Sequence, residues 1–324
     1  MSKRGRVHLV IACVAGVALL AGCSGKTDLR LHLKPGDKRV VEVTNNLTTT
    51  APGKGGQESQ TDTSVHKYTY DVQSVDESGT ATVQVKMNLD TIFGAGMGAL
   101  GEMAGALATL GSELGEIAPT IELLPDGSIV SVSGMAEIAT KVAEVMREEM
   151  KKQIAELMKQ FGPEAAAMMG AGGEMDRVID KSVSAIKKEL GNEAMKDDLG
   201  VLTGYFPPEP VGKGSTWTKT SKTSNPIAMT LTNTYTVTQR GGGVMNIACQ
   251  GQIASDPGAG VDLGMIKMSF DVSGTVTGTM QVDEATGWVT ASSMDILADG
   301  NMKMGPMDMP IKVEGNIYTR TYAP

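Results

Sequence analysis

The sequence is poor in the residue types that most enzymes use for nucleophilic, acid–base or metal chemistry. Among 324 residues there are three histidines and three cysteines, and aromatic residues make up 4%. Neither a Gly-x-Ser-x-Gly nucleophile motif nor a His-Glu-x-x-His zinc motif occurs. We therefore expect no enzyme, no catalytic residue, no metal site and no cofactor. With so few aromatic residues, the core should be built from Val, Ile, Leu and Met.

Basic residues are fewer than acidic residues. The whole chain has 29 Lys and Arg against 37 Asp and Glu, and residues 1–22 hold three of the basic residues and no acidic one. From residue 23 onward the balance is therefore 26 basic against 37 acidic side chains. Nucleic-acid binding needs a basic surface, and adhesion to anionic lipid needs clustered Lys or Arg. The charge balance argues against both, so that attachment to a membrane would have to be covalent.

No apolar run in the sequence is long enough to span a membrane as a helix. The run from Val7 to Leu20 falls short of the roughly 20 apolar residues that a span requires. It follows a cluster of three basic residues and ends in Leu20-Ala21-Gly22-Cys23. A basic start, a short apolar core and small residues at the end are typical of a secretory signal peptide.

The last four residues of this segment resemble the lipobox of bacterial lipoproteins. In that family the cysteine is diacylated and becomes the N-terminus once the preceding residues are removed. The resemblance implies a signal peptide over 1–22 and lipid attachment at Cys23, with an ordinary signal peptide as the alternative. Two acyl chains hold a protein stably on a membrane. Ser24 stands where such proteins carry Asp for inner-membrane retention, which favours the periplasmic face of the outer membrane.

Two stretches of alternating polar and apolar residues flank a helical middle, and such alternation is typical of half-buried antiparallel strands. The stretches share glycine turns in the same order, pairing Gly36 with Gly212, Gly79 with Gly243 and Gly127 with Gly287. We interpret them as diverged copies of one β unit. The predicted single domain, 23–324, comprises β repeat one (28–133), a helical insertion (134–200) and β repeat two (205–324). Cys249 lies in a predicted strand of the second repeat, where we expect it to be buried.

The middle of the chain has helical periodicity. Apolar residues three or four apart predict an amphipathic helix over 135–161, ended by Gly162-Pro163, and a second helix from Met175 to Leu190. Each helix has one apolar face, which the β repeats are large enough to cover. The predicted class is therefore α+β. Two diverged antiparallel β units form a curved sheet or half-barrel, and the helical insertion packs on the sheet.

Two further motifs have ordinary explanations. Residues 96–101 match the Gly-x-Gly-x-x-Gly pattern of dinucleotide sites, but the strand before them alternates polar and apolar residues and no βαβ unit follows. The methionine pairs 302/304 and 307/309 carry thioethers that suit Cu(I), yet no histidine accompanies them locally. We favour packing of alternate methionines on one face of a strand.

Several segments of the mature chain carry a second resemblance. An early Leu-x-Leu-x-Pro-Gly-Asp segment begins at Leu31, Tyr-x-Val strands follow, and the run from Pro208 to Gly212 precedes Trp217. Together with the lipobox, these segments resemble an uncharacterised group of secreted bacterial lipoproteins that carry a domain of unknown function. The resemblance implies a location in the cell envelope and implies no activity.

Two functions from different classes remain open. Our first expectation is a non-catalytic envelope lipoprotein with a structural or protein-binding role. The alternative is a periplasmic carrier of a hydrophobic ligand such as lipid or lipoprotein acyl chains, because the predicted sheet is similar to the half-barrels of periplasmic lipoprotein carriers, a similarity of fold alone. An apolar, Met-lined cavity of roughly 300–1,000 Å³ would favour the carrier. A sheet filled by its own helices would favour the first function.

Overall fold

A computed structural model describes residues 25–53, 56–88, 115–168, 173–223, 228–256, 259–262, 267–305 and 307–324. Within these ranges the chain forms thirteen strands and three helices. The strands are β1 (Lys38–Gly53), β2 (Gly56–Val75), β3 (Ala81–Asn88), β4 (Glu116–Ile117), β5 (Thr120–Leu123), β6 (Ile129–Ser133), β7 (Thr216–Thr223), β8 (Met229–Gly241), β9 (Val244–Ser255), β10 (Gly260–Asp262), β11 (Lys267–Asp283), β12 (Val289–Met304) and β13 (Met307–Tyr322). The helices are α1 (Met135–Met168), α2 (Gly173–Glu189) and α3 (Asn192–Thr203), all between β6 and β7.

The strands join in one antiparallel sheet. Eleven of them follow each other in the order β6-β5-β3-β2-β1-β13-β12-β11-β9-β8-β7, while β10 pairs with β11 and β4 pairs with β3. The chain therefore meanders from β1 outward to one edge at β6 and passes through the helices to the other edge at β7. It then meanders back until β13 lies beside β1.

The predicted α+β class is wrong, because the protein is mostly β and its strands form one large sheet. The two stretches predicted as separate β units are joined where β1 pairs with β13, from Val40↔Tyr322 to Thr50↔Lys312. Apolar residues of α1 and α3 belong to the same core cluster as the strands. Alternation along a strand shows which of its faces is apolar, but not which strand lies beside its edge. The sequence pattern could therefore not reveal the central pairing.

The helices agree with the sequence analysis only in part. Helix α1 begins at Met135 as predicted but continues to Met168, so Gly162-Pro163 does not end it. Helix α2 confirms the second predicted helix, whereas α3 was not predicted as a separate helix. The backbone N–H of Met135 donates to Asn192 Oδ1 at 3.2 Å, which ties the start of α1 to the start of α3. In the described part of the chain, no helix is both long and apolar enough to cross a membrane.

Helix α3 lies between the two edges of the sheet, because it contacts both β6 and β7. The sheet therefore curls until both edges approach the same helix, and its concave side encloses one hydrophobic core. Strands from both halves of the sheet contribute to this core, with Val83 and Val85 on β3 and Ile247 and Cys249 on β9. We call the concave side the inner face and the convex side the outer face.

Glycines on the inner face allow the sheet to curl tightly. A Cβ atom on Gly278 would lie 2.1 Å from the carbonyl oxygen of Ser293 on β12, and one on Gly300 would lie 2.0 Å from that of Asp271 on β11. Both distances are far below van der Waals contact, so a side chain at either position would force the neighbouring strands apart. Glycine within a strand often marks such a bend or close backbone approach.

An ionic cluster on the outer face supports the pairing of β1 with β13. Arg320 Nη2 lies 2.6 Å from Glu42 Oε1, and Lys67 Nζ lies 3.4 Å from Glu42 Oε2. Burial alone would raise the pKa of Glu42, but its hydrogen bonds with Lys67 and Arg320 outweigh that effect and hold the pKa below its ordinary value. One carboxylate on β1 thus links β2 on one side to β13 on the other.

Candidate functional site

The N-terminal segment covers the turns at one end of the sheet, which we call the closed end. Residues 25–33 cross this end. The backbone N–H of Leu31 donates to the carbonyl oxygen of Pro125 in the β5–β6 turn at 2.8 Å, and that of His32 donates to Thr286 in the β11–β12 turn at 3.0 Å. Leu29 and Leu31 are buried in the core. The segment is therefore a structural part of the fold from its first described residues.

The first residues of this segment are fastened by two sets of hydrogen bonds. Thr27 and Val211 exchange backbone hydrogen bonds of 2.8 and 2.9 Å. The guanidinium of Arg240 donates to the carbonyl oxygen of Gly25 and to the hydroxyl of Thr27. Arg240 itself is held by a bidentate pair with Glu284, at 2.9 Å from Nε and 2.8 Å from Nη2. Bidentate arginine–carboxylate pairs fix both partners in one orientation.

A second segment, residues 204–211, crosses the closed end beside the first. Tyr205 and Phe206 are buried and stack on each other with ring centroids 4.4 Å apart. The hydroxyl of Tyr205 donates to the carbonyl oxygen of Gly287 at 2.8 Å, and Trp217 Nε1 donates to the carbonyl oxygen of Tyr205 at 2.8 Å. Burial raises the pKa of Tyr205 well above its ordinary value. These aromatic side chains fill the closed end, which is therefore part of the packed core.

A small polar group interrupts the inner face on β1 and β2. Ser64 Oγ lies 2.8 Å from Nε2 of His66, and Asn45 Nδ2 donates to Ser64 Oγ at 3.4 Å. His66 is buried. Burial raises the pKa of the nearby Tyr68 to about 12, and the charge of Asp198 on α3 adds to that shift. The local hydrogen bonds hold the His66 ring in place, and we assign the group no reaction.

Beyond the packed core, the inner face continues over β11, β12 and β13 as an apolar strip. We call this strip the distal inner face and define it by Val276, Ile296, Ala298, Ile311 and Val313. The register brings them together, since Val276 pairs with Ile296 and Ala298 with Val313, and paired residues share a face of the sheet. Ile296, Ile311 and Val313 are half-buried, whereas Val276 and Ala298 are buried. None of the five belongs to a hydrophobic cluster formed by described residues.

Charge is completely separated between the two faces of these three strands. The acidic and basic residues of β11, β12 and β13 all occupy outer-face positions of the register. Asp295, Asp299 and Lys312 are examples. Inner-face positions of the same strands hold Val, Ile, Met, Phe, Ala, Gly, Ser or Thr. The inner face can therefore contact a hydrophobic molecule without burying an ionised group, which would be costly.

Some residues singled out in the sequence lie outside the described residues. These are Cys23 with the predicted signal peptide 1–22, and the glycine motif at 96–101.

Met302 and Met309 are opposite each other on the inner face of β12 and β13, and both are half-buried. Cys249 is buried, as predicted, and burial raises its pKa to about 11.

Polar sites are scarce in the part of the chain that the structure describes. No group of three or more His, Cys, Asp and Glu side chains is placed to hold a metal ion among these residues. A groove of about 360 Å³ over α2 is lined by Asp180, Lys181, Ser184 and Ala185. It is wide open to solvent and does not belong to the inner face, so the distal inner face is the candidate site.

The sequence analysis did not identify the distal inner face, although a signal for it was present. The alternation found in β repeat two, 205–324, includes Ile311-Lys312-Val313, and β13 confirms a strand there. Charges on β11, β12 and β13 fall only at every second position, opposite the apolar residues. Combined across three neighbouring strands, that pattern indicates a sheet face that is uncharged along its whole length. The patterns of the three strands could be combined only once the strand order was known.

Residues 173–289 match the model of a family of unknown function, DUF6263. The match runs from the start of α2 through α3 and β7 to β11, and ends at the first residue of β12. The predicted resemblance to a group carrying a domain of unknown function is confirmed to this extent. No curated protein matches the chain.

Proposed function

We propose that this chain is a non-catalytic, lipid-anchored protein of the bacterial cell envelope that binds a hydrophobic ligand on its distal inner face. The anchor is the lipid on Cys23, after removal of residues 1–22. The observation that carries the binding function is the apolar strip on β11, β12 and β13, where Ile296, Ile311 and Val313 are half-buried and lie outside the core cluster of the described residues. A large contiguous apolar surface that remains accessible in a folded chain often marks a binding site.

The dimensions of the strip favour a long acyl chain as the ligand. From Ile296 to Met302 the inner face of β12 extends by about 20 Å, at about 3.3 Å per residue. One leaflet of a bilayer core is about 15 Å thick, half of the usual 30 Å. A chain of membrane-lipid length therefore fits along the strip. Covering its apolar surface would contribute about 25 cal/mol for each Å² removed from water.

The side chains of the strip are suited to such a ligand. Ile296, Ile311 and Val313 are stiff, branched and apolar, and Met302 and Met309 at its end are flexible and adapt to different shapes. Contacts of this kind are strong in total but weakly specific for chain length or headgroup.

The test compares the neighbouring residues Ile296 and Leu297, which lie on opposite faces of β12. We expect the wild-type protein, purified from membranes as the full chain, to retain lipid that organic solvent extracts and mass spectrometry quantifies. Ile296→Asp should reduce the retained lipid per protein roughly tenfold or more, because it places a charge on the apolar strip. The lipid on Cys23 is covalent and remains with the protein, so it does not enter the count.

Leu297→Asp is the matched control for this test. Leu297 is 49% exposed on the outer face, so the same substitution introduces the same charge without touching the inner face. This variant should retain as much lipid as the wild type. The proposal fails if the wild type carries no lipid, or if the two variants lose lipid equally.

A protein-binding role is a second candidate, favoured by the edge of β2 that faces away from β1. Residues 69–75 of β2 pair with β3, whereas among the described residues 56–68 pair only with β1. This edge is polar, and most of its side chains are exposed. An extended peptide could add there as a further strand. A wild-type protein free of lipid would leave this candidate as the better one.

A further inference from the structure

We propose that the closed end of the fold rests on the membrane surface and that the distal inner face points away from it. The proposal depends on the lipid anchor at Cys23, which is part of the proposed function, but not on ligand binding. It assigns the bilayer surface as the partner of the closed end.

The first argument is the length of chain between the anchor and the fold. Only Ser24 separates Cys23 from Gly25, the first described residue. Two peptide units span at most about 7 Å when fully extended. A lipid on Cys23 therefore leaves no room for a tether, and the bilayer surface must lie close to Gly25.

The second argument is that Gly25 and Thr27 are fixed to the body of the protein. Arg240, held by Glu284, donates hydrogen bonds to both residues, and Val211 pairs with Thr27 through the backbone. Two residues further on, Leu29 is fully buried. The segment cannot swing as a free tail without losing these contacts, so the orientation of the fold follows the orientation of the anchor.

The third argument is the direction of the strands. β1 begins at the closed end, where residues 34–37 bond to β2, and runs away from it toward the hairpin around Gly53 and Gly56. Its sixteen residues extend roughly 53 Å at about 3.3 Å per residue. β12 runs in the same sense from the closed end, so Ile296 and Met302 lie progressively further from it. A ligand would therefore reach the distal inner face from the aqueous side, not laterally from the anchoring bilayer.

The test measures how far each end of the protein lies from a bilayer. Two full-length variants carry a fluorescent thiol label, one at Lys213→Cys beside Val211 and one at Glu58→Cys near the β1–β2 hairpin. Both sites are exposed, whereas Cys249 is buried and is not expected to react with the label. The lipidated proteins are placed in phosphatidylcholine vesicles containing an energy-acceptor lipid, and acylation of Cys23 is verified by mass spectrometry.

We expect energy transfer to the bilayer to be several-fold stronger from position 213 than from position 58. A flexible linker of ten Gly and Ser residues inserted between Ser24 and Gly25 should remove most of that difference, since it permits roughly 17 Å of additional reach and free rotation. Arg240→Ala should reduce the difference in energy transfer less than the linker does. Equal transfer from the two sites, stronger transfer from position 58, or absence of lipid on Cys23 would each overturn the proposal. Absence of lipid on Cys23 would also contradict the anchor in the proposed function, whereas none of these outcomes bears on lipid retention by Ile296 and its neighbours.

Discussion

Replacing Phe206 by alanine is expected to lower the free energy of unfolding by about 3–5 kcal/mol, the usual range for a buried aromatic residue. Phe206 is fully buried, stacks on Tyr205, and packs at the point where α3 leads into the closed end. The cavity left by its ring would adjoin Gly127, whose turn also accepts a hydrogen bond from Thr203 at 2.7 Å. The substitution therefore weakens the junction of α3 with both crossing segments.

Urea unfolding of the full chain, followed by tryptophan fluorescence, checks this expectation. Trp217 and Trp288 are the two tryptophans, and both are buried near the closed end. Tyr318→Ala is the control, because Tyr318 is a large aromatic residue that is 48% exposed on the outer face. It should change stability by no more than about 0.5 kcal/mol. Equal effects of the two substitutions would show that the closed end is not part of the cooperative core.

Gly287→Ala is expected to destabilise the protein by roughly 3–5 kcal/mol, through backbone strain and a collision together. Gly287 has a φ of +77°, in the left-handed region that favours glycine. A Cβ atom there would lie 2.0 Å from the carbonyl oxygen of Arg30 and 3.0 Å from the Cα of Leu31. The added methyl group would therefore push the N-terminal segment off the closed end.

Gly214→Ala separates the strain from the collision. Gly214 has a φ of +85°, and a Cβ atom built on it meets nothing within 4 Å. This control should cost only about 1–2 kcal/mol, the penalty for a side chain in the left-handed region. The difference between the two variants in urea unfolding measures the contact between Gly287 and the N-terminal segment. If both variants lose the same stability, that segment does not lie on the β11–β12 turn as described.

The elements that the sequence analysis predicted correctly are those whose signal is local. Strand β3 alternates through Val83, Val85 and Met87, and every one of these is buried while Thr82, Gln84 and Lys86 are not. Helix α2 likewise follows from its own periodicity. In such elements the burial pattern repeats at the period of the secondary structure, so a short window of sequence is enough to identify it.

The elements that were missed depend on contacts distant in sequence. Helix α3 is only twelve residues long, and its place between β6 and β7 follows from the curl of the whole sheet. Pairing of β1 with β13 joins residues more than 250 positions apart, through partners such as Val43↔Thr319. No local pattern encodes these contacts, so the sequence analysis interpreted the two ends of one sheet as separate β units.

The sequence analysis identified only some residues of the candidate site. Methionines 302 and 309 were recognised as residues packing on a strand face, and they lie at the end of the apolar strip. Ile296 and Val313 were not singled out, because an apolar residue in an alternating strand normally belongs to the core. Their meaning comes from being half-buried in the fold, a property that depends on where the packed core ends.

The central claim is that a hydrophobic ligand lies along the distal inner face, and photo-crosslinking tests it most directly. Full-length protein is incubated with a fatty acid carrying a diazirine at the end of its chain, irradiated, digested and analysed by mass spectrometry. Adducts should concentrate on peptides containing residues 296–302 and 309–313, and unlabelled fatty acid should compete them away. Adducts confined to α2 or to the closed end, or a signal that unlabelled fatty acid does not reduce, would contradict the claim.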